Sequence, residues 1–285
     1  MRQGLLVVGV LGIIACGPPT RVTGGGPDAS GGGHDAPQSH IDAPITPLVD
    51  APPDAPAKLL VYAHTATALF SVDPDTYAIT SVGAFQWPSP ITMDQMTDIA
   101  IDKDGLMIGI SFTNVYQVDP ANAKATLLSN ALGGTFNGLS FVPASMVGEV
   151  GDDVLIGTRN SDGLVFRINK TNGVATQIGN MGAYASSGDA VAVSGLGTLQ
   201  TVTGPTSDVL VKLAPGTFAA TPVGTGIGFT TLWGIAHGST KIFGFSSTGQ
   251  FILIDPTTGV GTLQSMSANQ WWGAAVSTSA QIVIQ

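Results

Sequence analysis

Five residues at matching places in a repeated segment of this 285-residue chain have side chains suited to binding: Thr97, Asn137, Asp189, Trp233 and Trp272. Asp98 follows the first of them directly. Carboxylate, amide and hydroxyl oxygens gathered at one point can hold Ca²⁺ or another hard divalent cation, which takes about six to eight oxygens. Asn137, Asp189 and Asp98 are the candidate metal ligands. The indoles of Trp233 and Trp272, with Trp87 and Trp271 near them in the repeat, can stack on sugar rings or anchor a peptide. The plainer expectation is a polar channel lining with no cofactor, because a fold carries no function by itself.

Other chemistry-bearing residues promise less. Asp102-Lys103-Asp104-Gly105 has the look of a calcium loop but lacks its closing glutamate, and it suits a hairpin turn better. The sole Glu is Glu149. Arg159 can bind an anion, yet Asp152, Asp153 and Asp162 are near enough in sequence to pair with it. His64 and His237 are the only histidines after residue 57, and His237 falls within an apolar run. There is no Gly-x-Ser-x-Gly elbow, no His-Glu-x-x-His and no Walker loop. No residue is assigned a catalytic role.

The elements that must position these residues come from a repeat. Asp73-Pro74, Asp119-Pro120, Asn169-Lys170, Ala214-Pro215 and Asp255-Pro256 each close an apolar run, at spacings of 46, 50, 45 and 41 residues. A period near 45 is that of a four-stranded propeller blade. The Asx side chain caps the turn, Pro presets φ, and Gly or Asn tolerates the left-handed region. A second phase lies between these turns: Thr97–Ile101, Asn137–Phe141, Asp189–Val193, Trp233–His237 and Trp272–Val276. Small residues at its second and fourth positions suit an innermost strand crowded around an axis.

The fold expected is therefore all-β, a β-propeller over residues 58–285, with five blades preferred and six possible. The domain opens on a blade lacking its inner strand and ends on an inner strand lacking its turn, so N- and C-terminal strands should pair and close the ring. Residues 280–284, Ala-Gln-Ile-Val-Ile, read as a surplus strand. The charge of −9, with 10 Lys and Arg scattered along the chain, argues against nucleic acid.

Residues 1–15 read as an export signal: Arg2, then an apolar run too short to cross a bilayer. Residues 16–57 hold half of the 18 prolines, two Gly-Gly-Gly runs and repeated Asp-Ala-Pro, a composition of disordered tethers. Ile13-Ile14-Ala15-Cys16-Gly17 resembles the lipobox of bacterial lipoproteins. That resemblance implies a lipid anchor on Cys16, the only cysteine, and an outer-membrane place in the cell envelope.

Phe136-Asn137-Gly138-Leu139-Ser140-Phe141 resembles the Asn-Gly blade motif of the regucalcin and gluconolactonase propellers. It implies six blades, Asn137 as a metal ligand and lactone hydrolysis. Two functions are thus expected from the sequence. The first is a membrane-anchored, non-enzymatic binding or scaffold module for a protein or carbohydrate ligand. The alternative is a metal-dependent hydrolase or lactonase at the channel mouth.

Overall fold

The computed structural model describes residues 60–280. The signal, Cys16, the tether and all but the first residue of the surplus strand lie outside the described residues; Ala280 itself is not in a strand.

Five four-stranded antiparallel sheets make five blades. The first contains β1 (Val61–His64), β2 (Ala68–Val72) and β3 (Ile79–Ala84). The second is β4 (Asp98–Ile101), β5 (Met107–Ile110), β6 (Val115–Asp119) and β7 (Lys124–Ser129). The third is β8 (Gly138–Val142), β9 (Val154–Thr158), β10 (Leu164–Ile168) and β11 (Ala175–Asn180). The fourth is β12 (Ser186–Val193), β13 (Gly197–Val202), β14 (Val209–Leu213) and β15 (Ala220–Val223). The fifth is β16 (Leu232–Gly238), β17 (Lys241–Ser246), β18 (Gln250–Ile254) and β19 (Gly261–Met266). A last strand, β20 (Gly273–Ala275), crosses to pair with β1 and supplies the first blade's inner strand. The protein is thus a five-bladed β-propeller closed by its terminal strands, and the six blades implied by the Asn-Gly motif are not formed.

The repeated turn explains the regularity. Asp73 Oδ1 accepts from the amides of Asp75 and Thr76, and Asp255 Oδ1 from those of Thr257 and Thr258. Asn169 does the same in its blade, and Asp119 Oδ1 accepts from the amide of Ala121. Four residues beyond each Asx position, or beyond Ala214, the chain enters the left-handed region: Tyr77, Ala123, Gly173, Phe218 and Gly259. Only two of the five are glycine, contrary to the expectation of Gly or Asn. The reason is the preceding blade. A Cβ on Gly173 would sit 2.6 Å from the carbonyl of Ala131, and one on Gly259 would strike that of Val223. Where the neighbour leaves room, a large side chain repays the strained backbone. Tyr77 packs edge-on against Phe243 and Phe251, and Phe218 is fully buried in the core formed with Met146 and Val202.

Inner strands are almost wholly buried, and β4, β8 and β20 entirely so. Ile99, Leu139, Val191, Ile235 and Ala274 converge with their neighbours until the axial void is only about 10 Å³. That is room for one water at most, so the axis is a packed core and not a pore.

Candidate functional site

Each inner strand starts at one face of the ring, and its antiparallel partner returns to that face. Inner-strand starts and the loops between second and third strands therefore build one mouth, while the Asx turns lie on the opposite face. A cavity of about 640 Å³ opens at this mouth. Thr97, Asn137, Trp233 and Trp272 line it. Phe112, Phe136, Asn160, the β12 residues Ser186 and Ser187, the 203–208 loop and Thr230 with Thr231 complete the wall.

The two indoles meet edge to face, with centroids 6.0 Å apart and planes at 89°. Phe112, half exposed, packs edge-on to Trp272. Thr97 Oγ1 donates to the carbonyl of Ile110, which fixes its hydroxyl. Asn137 Nδ2 donates to the carbonyl of Ser186 at 3.2 Å, while its Oδ1 is enclosed without a partner.

Asp189 is not at the mouth. Strand β12 starts early and shifts register between Ser186 and Ala190, and Gln200 Nε2 patches the irregularity by donating to Gly188 O and Ser186 Oγ. Ser186 and Ser187 consequently take the mouth position, and Asp189 becomes the counterpart of Asp98. Both carboxyls are fully buried. Asp98 Oδ1 accepts from its own neighbour Ile99, and Oδ2 from Leu139 of the next blade at 2.6 Å. Asp189 accepts likewise from Ala190 and, across to the next blade, from Ile235. The inner edge of a propeller's innermost strand has no ladder partner, so its amides need acceptors. The two aspartates supply them.

Burial, followed by the charge of Asp189, holds Asp98 well above the ordinary carboxylate range; burial does the same to Asp189. Two carboxyls so placed favour sharing a proton over carrying two charges. His64 Nε2 lies 3.8 Å from Asp98 Oδ1. Its Nδ1 pairs with the carbonyl of Thr65 and so carries the hydrogen. Burial lowers this imidazole to about 4, so near neutral pH the contact is not an ion pair.

The proposed metal set of Asn137, Asp189 and Asp98 does not fit a hard cation as it stands. All four carboxyl oxygens accept amide hydrogens, the Asn137 oxygen is enclosed, and the axial void is too small for a hydrated ion. Among the described residues no cluster of three or more His, Cys, Asp or Glu is placed to hold a metal.

Other sequence candidates disperse. Trp271 is fully buried between Phe70 and Phe245, and Trp87 packs on Phe85 and Tyr116, so neither faces the mouth. Arg159 pairs with Asp162, and Glu149 with Arg167. Asp102–Gly105 is the β4–β5 turn, with Asp102 Oδ1 accepting from Asp104 and Leu106.

Several wall residues went unmarked in the sequence, and one of them is a carboxylate. Asp208, only 4% exposed, lines the cavity. Its Oδ2 accepts from Ser187 Oγ at 2.6 Å and from the amide of Leu232 at 2.8 Å, joining the fourth blade to the fifth. Burial raises its carboxyl. A Ser-Asp pair bridging two blades has no local pattern, and only the Ser/Thr/Gly/Pro character of 203–207 hinted at a functional loop.

Fold and site together define a closed five-bladed propeller with a ligand-sized mouth cavity. No protein-family profile matches the sequence, and no curated protein matches it. Among solved structures it is similar to a chain of the nidogen/laminin complex, at 11% identity and a TM-score of 0.48, covering 78% of this chain and 98% of that one. It is also similar to a Bacteroides fragilis protein described as a candidate 6-phosphogluconolactonase, at 10% identity and a TM-score of 0.45, covering 79% and 99%. Both likenesses concern overall shape alone.

Proposed function

We propose that this protein is a lipid-anchored cell-envelope propeller, held to the outer membrane through Cys16 and residues 16–57, that acts as a non-enzymatic binding module. The ligand is taken at the mouth cavity. One observation carries this reading: the cavity wall offers indole surface, hydroxyl and amide groups and a single carboxyl, Asp208, already held by Ser187 and the Leu232 amide, while the titratable groups on the axis are sealed beneath it and bonded to backbone. A hydrolase needs a set of reactive groups within hydrogen-bond reach of its substrate; neither Asp98, Asp189 nor His64 lines the cavity, and among the described residues Asp208 stands in its wall with no His, Cys, Lys or second carboxyl.

The test uses full-length protein with Cys16→Ser, purified without its anchor and mixed with isolated sacculi or outer-membrane vesicles. Sedimentation with one of these, weakened at least tenfold by Trp233→Ala or Trp272→Ala, supports the reading. Sedimentation indifferent to both substitutions rules the mouth out as the binding surface. Lactone hydrolysis that falls with Asn137→Ala would instead establish the enzyme. Loss of membrane association with Cys16→Ser checks the anchor separately.

A further inference from the structure

The chemistry of the cavity wall narrows the ligand class, on the reading that the mouth is the binding site. Its volume of about 640 Å³ is within the roughly 300–1,000 Å³ of small-molecule sites. Among the described residues no Lys or Arg lines it, which disfavours an anionic ligand. The Trp233–Trp272 pair meets edge to face at 89°. Indole surface in the wall suits a pyranose ring; a cation over the same rings is the alternative that the test below separates. Hydroxyls and amides dominate the remaining wall. Those groups both donate and accept, as sugar hydroxyls do.

Asp208 adds a built acceptor. Its Oδ2 is held by Ser187 Oγ and the Leu232 amide, which leaves Oδ1 as the acceptor this cavity-lining residue can offer a ligand. We propose that the mouth binds a neutral sugar unit of a glycan, stacked on Trp272 or Trp233, with a ring hydroxyl donating to Asp208 Oδ1. A hydrogen bond to a carboxylate in a partly dry site is stronger than one to a neutral acceptor, and Asp208 is thereby the residue that fixes the orientation of the ring.

The test is an array of microbial and other glycans probed with the full-length Cys16→Ser protein, alongside titration of the same protein with tetramethylammonium and with polylysine. Two further substitutions are compared in that background. Asp208→Asn keeps an amide oxygen to accept from Ser187 and Leu232, so folding is retained while the acceptor offered to the ligand becomes a donor. Trp272→Ala removes stacking surface without touching the Asp208 anchor. The proposal expects glycan retention, with affinity down at least tenfold in each variant at unchanged melting temperature. If Asp208→Asn proves unstable, Trp272→Ala alone decides. Glycan binding equal in all variants, or none, overturns the proposal. Should the cations bind and Trp272→Ala abolish that, the mouth remains a binding site and the sugar assignment alone fails. If neither probe class binds, the sugar assignment falls, and the sedimentation test with Trp233→Ala and Trp272→Ala decides whether the mouth binds at all.

Discussion

His237 shows how much a single buried group can dictate. It is 1% exposed, neither ring nitrogen has a partner, and burial lowers its imidazole to about 4. An unfolded histidine titrates near 6.5, so between these values the unfolded chain takes up protons that the folded chain refuses. Stability is lost as pH falls through that window, by roughly 3 kcal/mol for this residue at most. Asp98, Asp189 and Asp208 act in the opposite sense. Their raised carboxyls favour folding at low pH and give up that contribution as pH rises above the unfolded range. Replacing His237 by Leu separates the two effects. Removing an unsatisfied buried polar group raises stability by about 1–3 kcal/mol at pH 7, and the acid-side loss between pH 6.5 and 4 shrinks. Thermal melts across that range check both outcomes. Asp98→Ala has the reverse effect. It strands the amides of Ile99 and Leu139 and costs about 1–3 kcal/mol for each, read by urea unfolding.

At the scale of elements, the Asx turns were plain in the sequence because Asp and Pro act on their own backbone. The inner strands were plain because their small residues recur in phase. What stayed hidden depends on neighbours distant in the chain. Nothing local shows that Tyr77 and Phe218 sit at left-handed positions, since the packing that holds them is inter-blade. Nor does β12 announce its register shift, which moved Asp189 off the mouth and put Ser187 beside Asp208. The same packing gives a graded prediction for the turns. Gly216, at φ +76, has open space where a Cβ would stand, whereas Gly259, at φ +72, abuts the carbonyl of Val223. Gly216→Ala costs about 1–2 kcal/mol, the conformational penalty alone. Gly259→Ala costs more, because the outer strand of the fourth blade must also give way. Equal losses in denaturant titrations of the two variants would contradict the inter-blade account.

For the whole molecule, closure is the decisive feature. Gly273, Ala274 and Ala275 pair with His64, Ala63 and Tyr62, and beyond them Ser277 Oγ donates to the carbonyl of Asp102. The chain thus seals the first blade and reaches the second. Truncation after Ala268 removes this strand together with buried Trp271, exposing an unpaired edge prone to association. Such a chain is expected to lose its cooperative melt and to elute as oligomers in size-exclusion chromatography. The ring also explains how residues far apart in sequence, Thr97 to Trp272, reach one cavity. That convergence, with the mouth as the working face, is the central claim. Hydrogen exchange of the Cys16→Ser protein, with and without bound sacculi or vesicles, tests it most directly. Protection confined to peptides covering Asn137, Thr203–Asp208, Trp233 and Trp272 is the predicted result. Protection on the opposite face instead, at the Asx turns around Asp73, Asp119 and Asn169, would contradict it.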